Sequence, residues 1–202
     1  MSTNQLVRTL PSTVSVGGFV IPIETSYKIW IQVWQIHERP DLEATKKVFG
    51  ILYLAYPAES TPLVANHKEE ALKQALAFLD RTLGDTTPPR PLTQREKRIK
   101  DMRLFDWDWD SARVIADFMR EYNIDLTNDE QDMHWWRFMS LFNGLSDTSA
   151  TMEAISIRAA DIDAKGMSAE QKKHLRERKA SLLLPARTEK EAAHNRQMLR
   201  GC

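Results

Sequence analysis

Cysteine occurs once in this 202-residue chain, at Cys202, which excludes an intrachain disulfide and any cysteine-based zinc site and fits a reducing compartment. Glycine is scarce, with seven residues in all, and none of them builds a phosphate-cradling loop. A serine elbow and an HExxH helix are missing as well. No long hydrophobic run occurs: the longest, from Val48 to Tyr56, falls far short of the roughly 20 residues a membrane helix needs. The N-terminus has no basic stretch leading into an apolar core of the secretory kind. An excess of charge of either sign is also lacking, since 28 Lys and Arg balance 28 Asp and Glu. The general electrostatic argument for binding nucleic acid goes with it. These absences point to a chain of the cytoplasm, with no membrane partner, no cofactor, no metal and no visible catalytic apparatus.

What is present is an ordinary globular composition, 42% hydrophobic and 28% charged, enough to build a core. The length suits one main domain, or a core with an appendage. Charge is segregated along it: Asp101 to Asp132 holds ten acidic residues against Arg103, Arg113 and Arg120, whereas Lys165 to Arg200 holds ten Lys and Arg against four Glu. Such polarity would suit head-to-tail self-association, although two solvated helix faces would carry the same pattern.

Near the start, Thr13-Val14-Ser15-Val16, Gly17-Gly18 and Phe19-Val20-Ile21-Pro22-Ile23 read as a β-hairpin within residues 6–23. The Gly-Gly pair supplies the positive φ angles of a two-residue turn, and Pro22 marks an edge strand. A lone hairpin is marginal in water, so it must pack on helices or add to another chain's strand. Ser26 then caps a helix to about His37, with Tyr27, Trp30, Ile31 and Trp34 at helical spacing. A second helix is expected from Pro40-Asp41 to about Tyr56, packed antiparallel to the first, and a third from the Asn66 cap to the Gly84 stop.

Residues 84–98, with Pro88, Pro89 and Pro91, form the best linker candidate. Beyond it, Asp106-Trp107-Asp108-Trp109-Asp110 opens a helix striped by Val114, Ile115, Phe118, Met119 and Tyr122. Carboxylates at a helix start accept orphan N–H bonds and oppose the dipole. The rival reading, a divalent-metal site, is disfavoured by bulky Trp between the carboxylates and by the missing glycine turn. Thr127 and Glu130 have the spacing of a capping box for the next helix, whose segment Met133 to Phe142 is apolar on more than one face and should sit centrally, around Trp135-Trp136. His134 is the one residue here suited to acid–base or metal chemistry. With Asp129 five residues away, no nucleophile and no second histidine at ligand spacing, a structural histidine bonded to a helix end is the better reading.

The C-terminal part is charged and helix-prone. Ser168 and Gln171 form a capping box opening a mostly solvated helix to about Leu184; Pro185 separates it from a last helix, Thr188 to about Leu199, with Glu191 as its box partner. No aromatic residues interleave with its basic residues, so nucleic acid is not the expected partner. The expected fold is therefore mainly α: a helical bundle with a small N-terminal β-hairpin and a peripheral charged C-terminal helical extension. The expected domains are a helical core over 1–160 and a basic extension over 161–202.

Three phrases follow one ordered pattern: Asp106-Trp107-Asp108 through Phe118; Glu121-Tyr122-Asn123-Ile124-Asp125-Leu126; and Met133-His134-Trp135-Trp136-Arg137-Phe138 to Gly144-Leu145. With Leu10-Pro11, Gly17-Gly18, Ile157-Arg158 and Lys179 to Pro185, the pattern resembles the phage gene-product-fifteen family of tailed phages and prophages of Gram-positive bacteria over about Leu6 to Pro185. The resemblance implies a tail assembly protein of the host cytoplasm, a chaperone or adaptor binding the tape-measure or another phage tail protein, without catalysis. The alternative it implies is a structural tail or connector subunit. No catalytic residue comes with it. Trp30, Trp34, Trp107 and Trp109 are the candidate partner-binding residues, because Trp is enriched at interface hot spots; core burial is the commoner fate of any one of them.

Overall fold

A computed structural model describes residues 9–84, 90–100 and 102–200. Hairpin residues 6–8, the linker prolines Pro88 and Pro89, and Cys202 lie outside them. The fold is mainly α, as expected, with an antiparallel hairpin near the N-terminus. The chain forms two units, Met1–Pro89 with Asn128–Asn143, and Arg90–Thr127 with Gly144–Cys202. This differs from the expected division into 1–160 and 161–202: the Trp135 helix folds with the N-terminal elements, and the Asp106 helix with the C-terminal part. Helical periodicity says which face of a segment is apolar but not which other segment will cover it.

In the first unit, β1 (Thr13–Val16) pairs with β2 (Phe19–Pro22) in a register that sets Val14 opposite Ile21 and Val16 opposite Phe19. Gly17 and Gly18 have φ of +59° and +78°, the sign that a type I′ turn requires at both central residues. Val14, Val16 and Ile21 point inward and are buried. Helix α1 (Tyr27–Glu38) starts at the expected cap, Ser26, whose hydroxyl accepts the Lys28 N–H at 3.2 Å. Helix α2 (Ala44–Ala55) begins later than Pro40-Asp41, which instead form a bend where Arg39 clasps Asp41. It packs on α1, where Gly50 lets Ile36 approach to 3.1 Å of the place a Cβ would occupy.

A 3-10 turn (Ala58–Ser60) leads into the short α3 (Thr61–Asn66), with Pro62 in its first turn where no N–H is needed. Asn66 therefore ends α3 rather than capping α4 (Lys68–Leu79). Nor does Gly84 end α4. Arg81 takes the left-handed conformation at φ +59°, with Thr82 N–H to Ala77 O at 2.8 Å and Arg81 N–H to Phe78 O at 3.1 Å, the two bonds of a Schellman stop. The linker candidate is partly helical: Thr93 and Glu96 form a capping box that opens α5 (Gln94–Ile99).

The second unit is organised around α6 (Trp107–Tyr122), which Asp106 caps by accepting the Asp108 and Trp109 N–H groups. It ends on Asn123 in the left-handed conformation. The Thr127–Glu130 capping box does not form. Asp125 captures the Thr127 N–H and hydroxyl in an Asx turn, and α7 (Trp135–Asn143), which belongs to the first unit, starts only at Trp135. In the second unit, α8 (Ala150–Ala159) packs on α6, and α9 (Ala169–Ser181) packs on both α8 and α10 (Glu189–Arg200). The Ser168–Gln171 capping box is present, and the mostly solvated α9 ends at Ser181, short of Leu184. Thr188 accepts the Glu191 N–H, but the Glu191 carboxylate turns to the Arg187 N–H, so only half of the last box is made.

Candidate functional site

Three tryptophans of the first unit are placed by indole N–H bonds to backbone carbonyls. Trp135 Nε1 donates to Leu79 O and Trp136 Nε1 to Phe78 O, both at 2.9 Å, so the adjacent tryptophans of α7 close the C-terminus of α4. Both indoles are buried, in the central position expected for them. Trp30 stacks on Phe78 with ring centroids 4.6 Å apart and donates to Glu24 O at 2.7 Å. Trp34, half-buried, meets Trp135 edge-on.

His134 caps α7. Its Nδ1 accepts the Trp136 N–H at 3.0 Å while Nε2 lies 2.8 Å from Pro11 O, an arrangement satisfied by the neutral ring with its proton on Nε2. Burial lowers its pKa, against the opposing pull of the Pro11 carbonyl. The carboxylates near it in sequence are engaged elsewhere: Asp132 accepts the Ser26 hydroxyl and Asp129 pairs with Lys28 at 2.7 Å. The Lys28 contact holds the Asp129 carboxyl below its ordinary range.

In the second unit, three aspartates that the sequence places at or within α6 serve the interior. Asp110 takes a two-pronged bond from Arg158, Nη1 to Oδ2 at 2.7 Å and Nη2 to Oδ1 at 2.9 Å, and a further bond from Arg113 at 2.8 Å. Asp106, besides capping, binds Arg103 and, at 2.8 Å, Arg187. Asp117 accepts the Ala150 and Thr151 N–H groups at 3.1 and 2.8 Å and pairs with Arg120. With Ser149 accepting the Met152 N–H, the first three N–H groups of α8 are all bonded. Every one of these acceptors is matched to a guanidinium or an amide, the arrangement of structural carboxylates rather than of ligands facing an ion. Among the described residues, no group of three His, Cys, Asp or Glu side chains converges as a metal site would.

The four tryptophans singled out in the sequence divide by burial. Trp30 and Trp107 are buried, so their contacts are with their own units: Trp30 with Phe78, Trp107 edge-on to Phe105 at 4.7 Å. Both take the commoner fate of a large aromatic, burial in the core, because each unit needs large apolar groups to close its interior. Trp34 is half-buried, and only Trp109 is well exposed, at 54%. The structure brings Trp30 and Trp34 together on α1, and Trp107 and Trp109 on α6.

Sequence reasoning missed the apolar residues the first unit leaves in water: Phe49 and Tyr53 on α2, exposed 62% and 84%, and Phe19 and Val20 on β2, exposed 63% and 73%. Phe49 and Tyr53 lie one helical turn apart on the face away from the buried Ile51 and Ala55. The signal was there, since Val48 to Tyr56 is apolar around more than one face of its helix. The start of α4 touches both places. Lys68 sits 5.4 Å from the centre of the Phe49 ring, and the neighbouring His67 ring packs against the Gly17 turn, whose N–H is bonded to Glu70 at 2.8 Å.

The family profile described as Bacteriophage Gp15 protein matches residues 6–184, and the chain belongs to that family. This makes it a phage structural or tail-related protein. No curated protein and no solved structure matches it.

Proposed function

We propose that this protein is a non-catalytic tail assembly factor of the host cytoplasm, a chaperone or adaptor that covers apolar helix faces of the tape-measure or another tail protein until they are assembled. The observation that carries this reading is the set of large apolar side chains, Phe19, Val20, Phe49 and Tyr53, that the first unit leaves exposed. A monomer gains nothing from such groups in water, whereas an apolar helix laid against them buries both surfaces. Lys46, exposed on the same helix, and Lys68 give the aromatic pair a basic rim that favours partners with carboxylates beside their apolar stripe. Family membership supports the setting and the charge network of the second unit supports a structural use of its acids.

The test is co-expression with the tape-measure protein of the same phage. Co-purification that is lost in a Phe49→Ser, Tyr53→Ser double variant with unchanged helix content supports the proposal; a tape-measure protein equally soluble and never co-purified with the native chain overturns it.

A second reading, a structural tail or connector subunit, is favoured by the hairpin. Among the described residues its sheet has two strands, so each copy offers a strand edge for addition between copies. Mass spectrometry of purified particles separates the two: a stoichiometric set of copies supports the subunit, and absence from particles supports a factor that leaves.

A further inference from the structure

The second unit holds a cavity of about 410 Å³ between α9, α10 and the irregular segment before α6. Its floor is aliphatic, formed by Met102, Leu104, Leu183, Leu184 and Met198. Its polar lining is mostly cationic. Arg158 and Arg103 are already committed to Asp110, Asp106 and Glu191. Lys190 and His194, one turn apart on the exposed side of α10, make no ion pair among the described residues, and the buried Lys179 ammonium is anchored on Ala160 O at 2.6 Å. A volume of this size lies within the range of ligand pockets, roughly 300 to 1,000 Å³.

We propose that this cavity receives a segment of a partner polypeptide in which carboxylates flank aliphatic side chains. The aliphatic floor takes the apolar side chains by the transfer of their surface out of water. Lys190 and His194 at the mouth meet the carboxylates, which sets the polarity of the segment more than its raw affinity. The Asn195 amide, whose NH2 donates to Leu184 O at 2.8 Å, keeps a carbonyl oxygen acceptor suited to a backbone N–H group, which a simple amphiphile lacks. Among the described residues no Phe, Tyr or Trp lines the cavity, so it lacks the large stacking platforms of a single-strand nucleic-acid groove.

Met102 and Met198 report on the cavity directly. The full chain, labelled with ¹³C at its methionine methyls and assigned with Met102→Leu and Met198→Leu, is titrated with three probes. These are the peptide acetyl-Leu-Glu-Leu-Leu-Glu-amide, its counterpart with Lys in place of Glu, and sodium decanoate. The expected result is a saturable shift of the Met102 and Met198 signals with the acidic peptide and not with the basic one, weakened about threefold to tenfold by Lys190→Glu at an exposed site, with the other methionine signals of the variant unmoved as the check on its fold. No shift at either methionine, equal response to the two peptides, or indifference to Lys190→Glu overturns the proposal. A response to decanoate without one to the acidic peptide overturns the polypeptide occupant in favour of a free amphiphile.

Discussion

Arg158 on α8 and Asp110 on α6 face each other in a two-pronged ion pair, 2.7 and 2.9 Å, with both side chains withdrawn from water. Arg158 also donates to Leu182 O and Leu104 O, so one guanidinium ties α6 to α8, to the end of α9 and to the segment before α6. Neither partner can be removed alone without leaving the other charge buried.

Asp110→Asn or Arg158→Leu should therefore each lower stability by about 3 to 5 kcal/mol, whereas the paired change Asp110→Leu with Arg158→Leu should cost markedly less than the sum. Urea denaturation of the single and double variants measures this. Additive losses would show that the two residues act separately.

The indole bonds of α7 give a second expectation. Trp136→Phe removes the donor to Phe78 O and part of a fully packed ring, a loss of about 1 to 3 kcal/mol. Amide exchange should quicken at the C-terminal turn of α4 in the same variant, since the Phe78 carbonyl is also the acceptor of the Arg81 N–H in the helix stop.

His134 makes stability depend on pH in a defined window. Burial lowers its folded pKa below the ordinary 6.5, so the unfolded chain takes up the proton first as the solution is acidified. Its contribution is complete above about pH 6.5 and is lost as pH falls toward the lower, folded value. His134→Asn, which keeps a side-chain oxygen to cap α7 but cannot titrate, should flatten thermal stability between pH 7 and 5.5. The carboxylates whose pKa values are depressed by their partners, Asp129 by Lys28 and Glu121 by the Ser146 N–H, lose their contributions only at lower pH.

The hairpin turn distinguishes its two glycines. Gly18→Ala meets open space and pays for the left-handed backbone alone, about 1 to 2 kcal/mol. Gly17→Ala adds a Cβ 2.6 Å from the His67 ring and should cost more, with His67→Ala restoring part of the difference. Thermal melts of the three variants test the order.

Much of this architecture is legible in local chemistry. Ser26, Asp106 and Ser168 cap helices because their oxygens reach N–H groups two or three residues on, and Gly17-Gly18 turns a hairpin because glycine accepts both positive φ angles without strain. Local rules misled where a competitor stood nearby. Thr127 was taken by Asp125 before it could cap a helix, Asn66 was used up inside α3, and Arg81 rather than Gly84 took the left-handed stop because the Schellman bonds of α4 are made there.

The sequence by itself determined the helical class, the hairpin, the helix starts at Ser26, Asp106, Ser168 and Thr188, the role of His134 at a helix end and the family, since each depends on residues close together in the chain or on their order. Only the tertiary structure decided which helix folds with which, that Asp110 and Asp117 serve the interior, that Trp30 and Trp107 are core while Phe49 and Tyr53 are not, and where the cavity of the second unit lies. The reason is physical. Whether an aromatic ring or a carboxylate ends in water or in the core depends on what a distant segment brings to cover it, and periodicity in one helix carries no record of that partner.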